Sequence, residues 1–300
     1  MLLNSRWGEA KAIFMELHRR DTTDPAGYLF RAAILQAEMI DKEANLYGTE
    51  FLTLLDNTKL FAKLKLSNCN RSDSALCFLY IGHQYAYRSL WEARFGSNWS
   101  ALNYGLKAKG EYHKALAVDT TLYDIYLGLG SYHYWKTARA GLLRTAGIFR
   151  DDREKGIREI KLAADSSLFS RETAHAALIW VFINEKQFDS AITLSGAMNR
   201  LYPEGNSFLW PLGEAYFKSG QYIRAAEIYD TLWRRIRKDP GNYYNLIESG
   251  YWLCISYGKI GGKIEVRQKT AYFDSIYQDI PKEIRRRQRS KLGELNRISK

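Results

Sequence analysis

The stretch Asn206–Trp233, NSFLWPLGEAYFKSGQYIRAAEIYDTLW, decides the fold, because two helical patterns meet in it at one turn, Ser219-Gly220-Gln221. Upstream of the turn Leu209, Leu212, Gly213 and Tyr216 recur at helical spacing, and downstream Tyr222, Ala225, Ile228, Tyr229 and Leu232 do the same. The spacing predicts two short antiparallel helices. Gly213 and Ala225 are the small residues on the facing sides, where a larger side chain would hold the backbones apart.

The order of residues here resembles the tetratricopeptide repeat (TPR): a large apolar residue, Leu-Gly, an aromatic three on, a turn glycine, an aromatic, Ala and another aromatic. The resemblance implies an all-α, right-handed α-solenoid of stacked antiparallel helix hairpins. Laying its 34-residue period back from Ala225 puts Ala191 at the same station, with Phe188 at that of Tyr222 and Pro203 closing the unit. One unit earlier Gly156 takes the small-residue station and Leu129-Gly130 the first-helix pair; before that come Ile81-Gly82 and Ala108. Ala10 and Ala44 are again 34 apart, with YLFRAAILQAEMI between them as a weaker first helix. A degenerate last unit follows Pro240, with Gly250 at the glycine station and a helix from about Glu265 to Tyr277. The expectation is one solenoid domain over residues 1–280 with about six units, clearest at 75–237, and a basic capping helix at 281–300.

Two departures stand out. The first-helix glycine and the second-helix small residue are 12 apart at 213–225 but 26 apart at both 82–108 and 130–156. Shared between two helices, the excess of 14 residues is seven each, roughly two turns. The expectation is two elongated central hairpins forming a ridge, with Trp91, Arg94, Trp99, Arg139 and Arg144 as contact residues. Alternatively Trp91, Phe95, Trp99, Leu142, Leu143, Ile148 and Phe149 pack the two hairpins together. Asp151 or Asp152 is expected to cap the returning helix of the second. The other departure is the start: Ser5 to Arg19 matches a second helix with no first helix before it. Either this helix is a cap, or a partner helix lies upstream of Met1 and the apolar face of Trp7, Ala10, Ile13, Phe14 and Leu17 is half-covered.

Composition agrees with a helical array: 46% apolar residues supply a continuous core, and five prolines with no Ser/Gly-rich tract leave little linker. Cys69, Cys77 and Cys254 are odd in number and make no C-x-x-C pair, which argues for neither a disulfide framework nor zinc. The longest apolar run, Ala174 to Ile183, is about half the length needed to span a bilayer. Met1-Leu2-Leu3 is too short for the apolar core of a secretory signal; as written the chain stays where it is made, although a missing beginning would also take an export signal with it.

In TPR proteins the partner lies in the concave face of the first helices. Carried across by register, that face here holds Leu79, His83 and Tyr87; Leu127, Ser131, Tyr134 and Trp135; Ala176, Trp180 and Ile183; Trp210, Glu214, Phe217 and Lys218; and Ile247 and Tyr251. Such an aromatic groove suits a helix, an extended peptide or a flat ligand. Members that clamp a C-terminal carboxylate place Lys and Asn at these stations; Lys218 is the one cation here, which speaks against that mode. If the superhelix closes tightly or the C-terminal segment fills it, the same rings are core.

The five histidines, His18, His83, His113, His133 and His175, show no metal-ligand spacing, and no cofactor is implied. YLGLGS and YGKIGGK lack the strand-turn-helix setting of a nucleotide loop, and no nucleophile has an evident base. These absences point to a non-enzyme. Of the net charge of +11, six units lie in residues 281–300, on an amphipathic pattern with Ile284, Leu292, Leu295 and Ile298. The sequence therefore reads as a TPR scaffold binding another protein or peptide through the aromatic groove. The alternatives are a glycan- or lipid-like ligand in that groove, or RNA or an anionic surface against the basic tail.

Overall fold

The computed structural model describes residues 2–138 and 151–298. Among the described residues there are fifteen α-helices, a 3-10 turn at Leu2–Asn4 and no strand. In chain order they are α1 (Trp7–Arg20), α2 (Pro25–Lys42), α3 (Gly48–Leu66), α4 (Arg71–Phe95), α5 (Asn98–Val118), α6 (Asp124–Ala138), α7 (Arg153–Ser166) and α8 (Arg171–Asn184). Then come α9 (Phe188–Leu201), α10 (Leu209–Lys218), α11 (Tyr222–Ile236), α12 (Tyr243–Lys259), α13 (Lys263–Ile276), α14 (Lys282–Arg287) and α15 (Arg289–Ile298). The chain forms two compact units. One is built on Arg6–Met39 and Asn45–Val181, the other on Leu3–Ser5, Ile40–Ala44 and Phe182–Lys300. Within the first unit α4 pairs with α5 and α6 with α7, and α2 packs on α3; within the second α10 pairs with α11 and α12 with α13.

One turn recurs. Lys186, Gly220 and Gly261 take the left-handed conformation, with φ of 59°, 79° and 80°. The next amide in each case bonds five residues back: Gln187 to Phe182 at 2.8 Å, Gln221 to Tyr216 and Gly262 to Tyr257 at 2.9 Å. This closes the helix end and reverses the chain. Each left-handed residue lies five before a buried position of the returning helix, namely Ala191, Ala225 and Val266. Ser5, with φ of 55°, stands in the same relation to buried Ala10. The exit of α1 repeats as well: Asp21 accepts from the amide and hydroxyl of Thr23 at 2.8 and 2.7 Å, as Asp119 after α5 does from Thr121 at 2.8 and 2.6 Å. Those bonds to Thr23 and Thr121 hold both carboxyls below their usual range. By entry and exit, α1 is a returning helix.

Lysine is a poor occupant of a left-handed position, which costs a side-chain-bearing residue about 1–2 kcal/mol. Lys186→Gly should therefore stabilise the protein by roughly 0.5–1 kcal/mol after glycine's own entropy is allowed for. At Gly220, Asn should be nearly neutral and Val should cost about 1–2 kcal/mol. Urea melts of the three variants decide it; a destabilised Lys186→Gly would refute the turn.

The hairpins lock through glycine. A Cβ on Gly82 would lie 2.5 Å from the Tyr112 ring, on Gly213 2.9 Å from Tyr229, and on Gly250 2.5 Å from Phe273. The register of the sequence pairs Gly82 with Ala108 and Gly213 with Ala225. The structure seats on each glycine the aromatic ring one helical turn later, because a flat ring fits the notch that a missing side chain leaves. In α6/α7 the backbones themselves meet, Gly130 against Gly156.

Three sequence expectations change. Ala44 lies in the link between α2 and α3 rather than on a returning helix, since α2 runs on to Lys42 and α3 buries Phe51, Leu54 and Leu55 instead. The first central hairpin is elongated, with 25 and 21 residues in α4 and α5 against 10 and 15 in α10 and α11. In the second, α7 begins three residues before Gly156, as α11 begins three before Ala225, so its returning helix has ordinary length. Asp152 stands at the cap position but its side chain makes no capping bond and pairs with Lys136 at 3.0 Å instead, while the amide of Arg153 is met by Asp151 at 3.1 Å. The rest of the excess, with Arg139, Leu142, Leu143, Arg144, Ile148 and Phe149, lies outside the described residues. Finally, the basic cap is two helices broken at buried Gln288, and Ile298 is exposed rather than on the apolar face. Leu292 and Leu295 enter the core of the second unit beside Ile247 and Leu253.

Candidate functional site

On α4, Leu79 is buried and belongs to the core with Ala108, Tyr112, Ile125 and Leu129. His83 stacks on Tyr87, ring centroids 6.0 Å apart, and its Nδ1 lies 2.7 Å from the Tyr112 hydroxyl. Burial pushes His83 down to about 4 and the Tyr112 phenol well above its usual value. The hydroxyl therefore donates and the neutral imidazole accepts at Nδ1, leaving the ring proton on Nε2. The Tyr112 ring is itself gripped between Gly82 and Gly128. Tyr87, pushed up to about 12 by burial, offers its main-chain carbonyl to the Gln36 amide at 2.8 Å. These residues hold α2, α4, α5 and α6 in place.

This arrangement makes the protein acid-sensitive. An unfolded imidazole titrates near 6.5, whereas folded His83 resists protonation down to about 4. Between those values the unfolded chain binds the extra proton, so stability falls as pH drops through that window and is untouched by this group above it. The loss should reach about 2 kcal/mol at pH 5. His83→Asn, which keeps an acceptor without a titrating ring, should flatten the slope in urea melts between pH 7 and pH 5. An unchanged slope would remove His83 as the cause.

On α6, Leu127, Ser131 and Trp135 are partly open, but Tyr134 is fully buried with its ring edge-on to Trp135 at 4.9 Å. Tyr134 is core, not a groove residue, because the close Gly130–Gly156 approach draws its backbone against α7. On α8, Ala176 is half-buried, Ile183 is buried, and Trp180 is 37% exposed on a helix whose Ala174, Leu178, Ile179 and Val181 are all buried.

In the second unit Trp210 and Phe217 lean on the core, Phe217 meeting Trp252 edge-on at 5.1 Å. Glu214 and Lys218 pair with each other at 2.7 Å, one turn apart, so the cation at these stations is neutralised by its own helix. Ile247 is fully buried. Tyr251 is also withdrawn from the groove: its hydroxyl donates to Glu294 of α15 at 2.7 Å, and burial with that carboxylate pushes the phenol up to about 12. Around it Gln288 and Lys291 meet Glu248, and Arg287 pairs with Glu43. The C-terminal helices thus occupy the first-helix face of the last hairpin, and part of the tail's positive charge is neutralised there.

The ridge residues divide. Trp91 and Phe95 pack back onto α2 and α3, and the Trp91 indole donates to Asn45 at 3.1 Å, so they do not serve as outward contacts. Arg94 is exposed. Trp99 is 78% exposed and is continued along α5 by Leu102 and Leu106, an apolar stripe at a spacing of three and four residues that periodicity alone could have found. His133 pairs with Glu159 at 2.6 Å, so it and His83 are each satisfied by a different partner. Among the described residues no His, Cys, Asp and Glu are grouped as metal ligands, and no helix is long and apolar enough to cross a membrane.

Comparison with models of known protein families and with curated proteins gives no match to this chain.

Proposed function

We propose that the chain is a TPR-like, non-catalytic scaffold that binds another protein or a peptide, and that its contact surface is the first-helix face of the first unit around Trp135 and Trp180. The observation that carries this reading is Trp180, a large amphipathic ring left over a third open on a helix that buries Ala174, Leu178, Ile179, Val181 and Ile183. Trp135 is half-buried on α6, and Leu127, Ser131 and Ala176, at the neighbouring first-helix stations, are uncharged and partly open. Rings of this kind give much contact area for little lost side-chain entropy, which makes them binding hot spots. The stripe Trp99, Leu102 and Leu106 offers a second contact surface.

Peptides selected on the folded protein should bind Trp180→Ala about 30-fold more weakly, the cost of a hot-spot truncation, and should bind a Lys282→Ala/Arg286→Ala tail variant unchanged. Equal binding to Trp180→Ala would overturn the reading. Binding that weakens steeply between ~50 and ~200 mM salt and depends on the tail would instead favour an anionic partner.

A further inference from the structure

Three contacts between a cation and a ring line up along the seam of α4 and α5. Arg88 of α4 lies 4.8 Å from the Tyr104 ring of α5, Lys107 of α5 lies 5.9 Å from the Tyr85 ring of α4, and Lys114 of α5 lies 5.8 Å from the Phe78 ring of α4. The pairs share one antiparallel register, each step back along α4 being matched by an equal step forward along α5. From Phe78 to Arg88 the row is about 15 Å long at the rise of a helix. In its middle Tyr85 and Tyr104 stack on each other, centroids 6.1 Å apart, and Lys107 lies 5.0 Å from the second ring as well. Lys59 reaches the row from α3, 5.4 Å from the Tyr85 ring. Two of these four cations are offset by a carboxylate, Arg88 by Asp56 at 3.2 Å and Lys114 by Glu111 at 2.8 Å. Among the described residues no carboxylate pairs with Lys59 or Lys107, so the surplus positive charge centres on Tyr85. Lys107 and Lys114 are exposed, and Lys59, Phe78, Tyr85 and Tyr104 are partly open.

We propose that this row binds single-stranded nucleic acid, its cations taking successive phosphates and its rings lying beside the bases. A row of positive groups along one helix seam suits a linear polyanion, whereas a bilayer presents its charge as a plane. Rings interleaved with the cations suit bases, which have faces to stack, while an acidic peptide need supply charge alone. The rings also hold the lysine and arginine heads in place before a ligand arrives, so less side-chain freedom is lost on binding than four free cations would lose. Phosphates are the same at every base, so the row should bind with little sequence preference. It shares no residue with the first-helix face around Trp135 and Trp180 or with the basic tail.

The test is the fluorescence anisotropy of a fluorescein-labelled uridine oligonucleotide titrated with the full chain between ~50 and ~200 mM salt. Lys59→Ala/Lys107→Ala should bind about tenfold more weakly at ~50 mM salt and lower the slope of log K against log salt by about 1.4, the share of two phosphate contacts on a single strand. Lys59→Arg/Lys107→Arg, which keeps both charges, should bind as the parent does, and Lys282→Ala/Arg286→Ala should leave affinity and slope unchanged. The proposal is overturned if the oligonucleotide does not bind at ~50 mM salt, if Lys59→Ala/Lys107→Ala binds as the parent does, or if the tail variant is the one that loses binding. It is equally overturned if polyglutamate or phosphatidylglycerol vesicles compete as well as unlabelled oligonucleotide at equal charge, which would place an acidic peptide or a membrane on the row instead.

Discussion

Gly156→Leu should unfold the first unit's α6/α7 hairpin or cost about 4 kcal/mol or more, the upper end of what overpacking does. A Cβ on Gly156 would sit 2.6 Å from the Gly130 carbonyl oxygen and 2.7 Å from the Tyr134 nitrogen, and one on Gly130 2.7 Å from the Gly156 carbonyl oxygen and 2.8 Å from the Ile160 nitrogen. These are main-chain atoms on both sides, so no side chain can swing away and the helices must part. Parting them loosens Ile160, Tyr134 and Leu129, all buried. Even Gly156→Ala should destabilise, although alanine is favoured over glycine in a helix interior by about 1 kcal/mol. Gly110 supplies the opposite sign: it lies within α5 with nothing near its missing side chain, so Gly110→Ala should stabilise by close to that 1 kcal/mol. Gly213 falls between, since its Cβ would meet the outer ring atoms of Tyr229 and the Ile228 methyl, and Gly213→Trp should cost about 1–3 kcal/mol. Thermal and urea melts of these variants give four values of fixed order; a Gly156→Leu protein that melts with its parent would mean that the backbones do not touch.

The hairpins were legible because their signal is local. Leu212-Gly213, Gly220 and Ala225 fix a notch, a left-handed turn and a close face within a dozen residues, and the same three stations recur down the chain. The register slipped by one helical turn at the lock itself, since the sequence shows that Tyr112 and Tyr229 are large but not that a flat ring is what fills a glycine notch. The site was less legible for the same reason. Whether Tyr134 is surface or core depends on how closely α6 approaches α7, and whether Tyr251 is open depends on Glu294, 43 residues away, folding back onto α12. Tertiary distance of that kind leaves no mark on periodicity. Trp180 reads identically in the sequence to the buried residues beside it, Ile179 and Val181; the packing of neighbouring helices alone separates them.

Asp124→Ala should cost roughly 3–5 kcal/mol, an effect that no motif in the sequence announces. Asp124 opens α6 and is 4% exposed. Its carboxylate reaches the link before α8: Oδ1 accepts from the amides of Phe169 and Ser170 at 2.9 and 2.7 Å, and Oδ2 from Leu168 at 3.1 Å. A negative group is favoured where successive amides point outward ahead of a helix. Alanine would leave those donors unmet, at about 1–3 kcal/mol for each that stays buried, less what water recovers at Leu168 and Phe169, which are exposed. Asp124→Asn distinguishes the charge from the shape: its oxygen can still receive two amides, but its NH2 group then faces the Leu168 N–H, donor against donor. Asn should therefore lie between Asp and Ala in stability. Hydrogen exchange of the amides at 168–170 gives the local readout, and it should quicken in both variants before the rest of the first unit does. If exchange there is unchanged while the whole unit loses stability, the carboxylate acts through α6 and not through the link to α8.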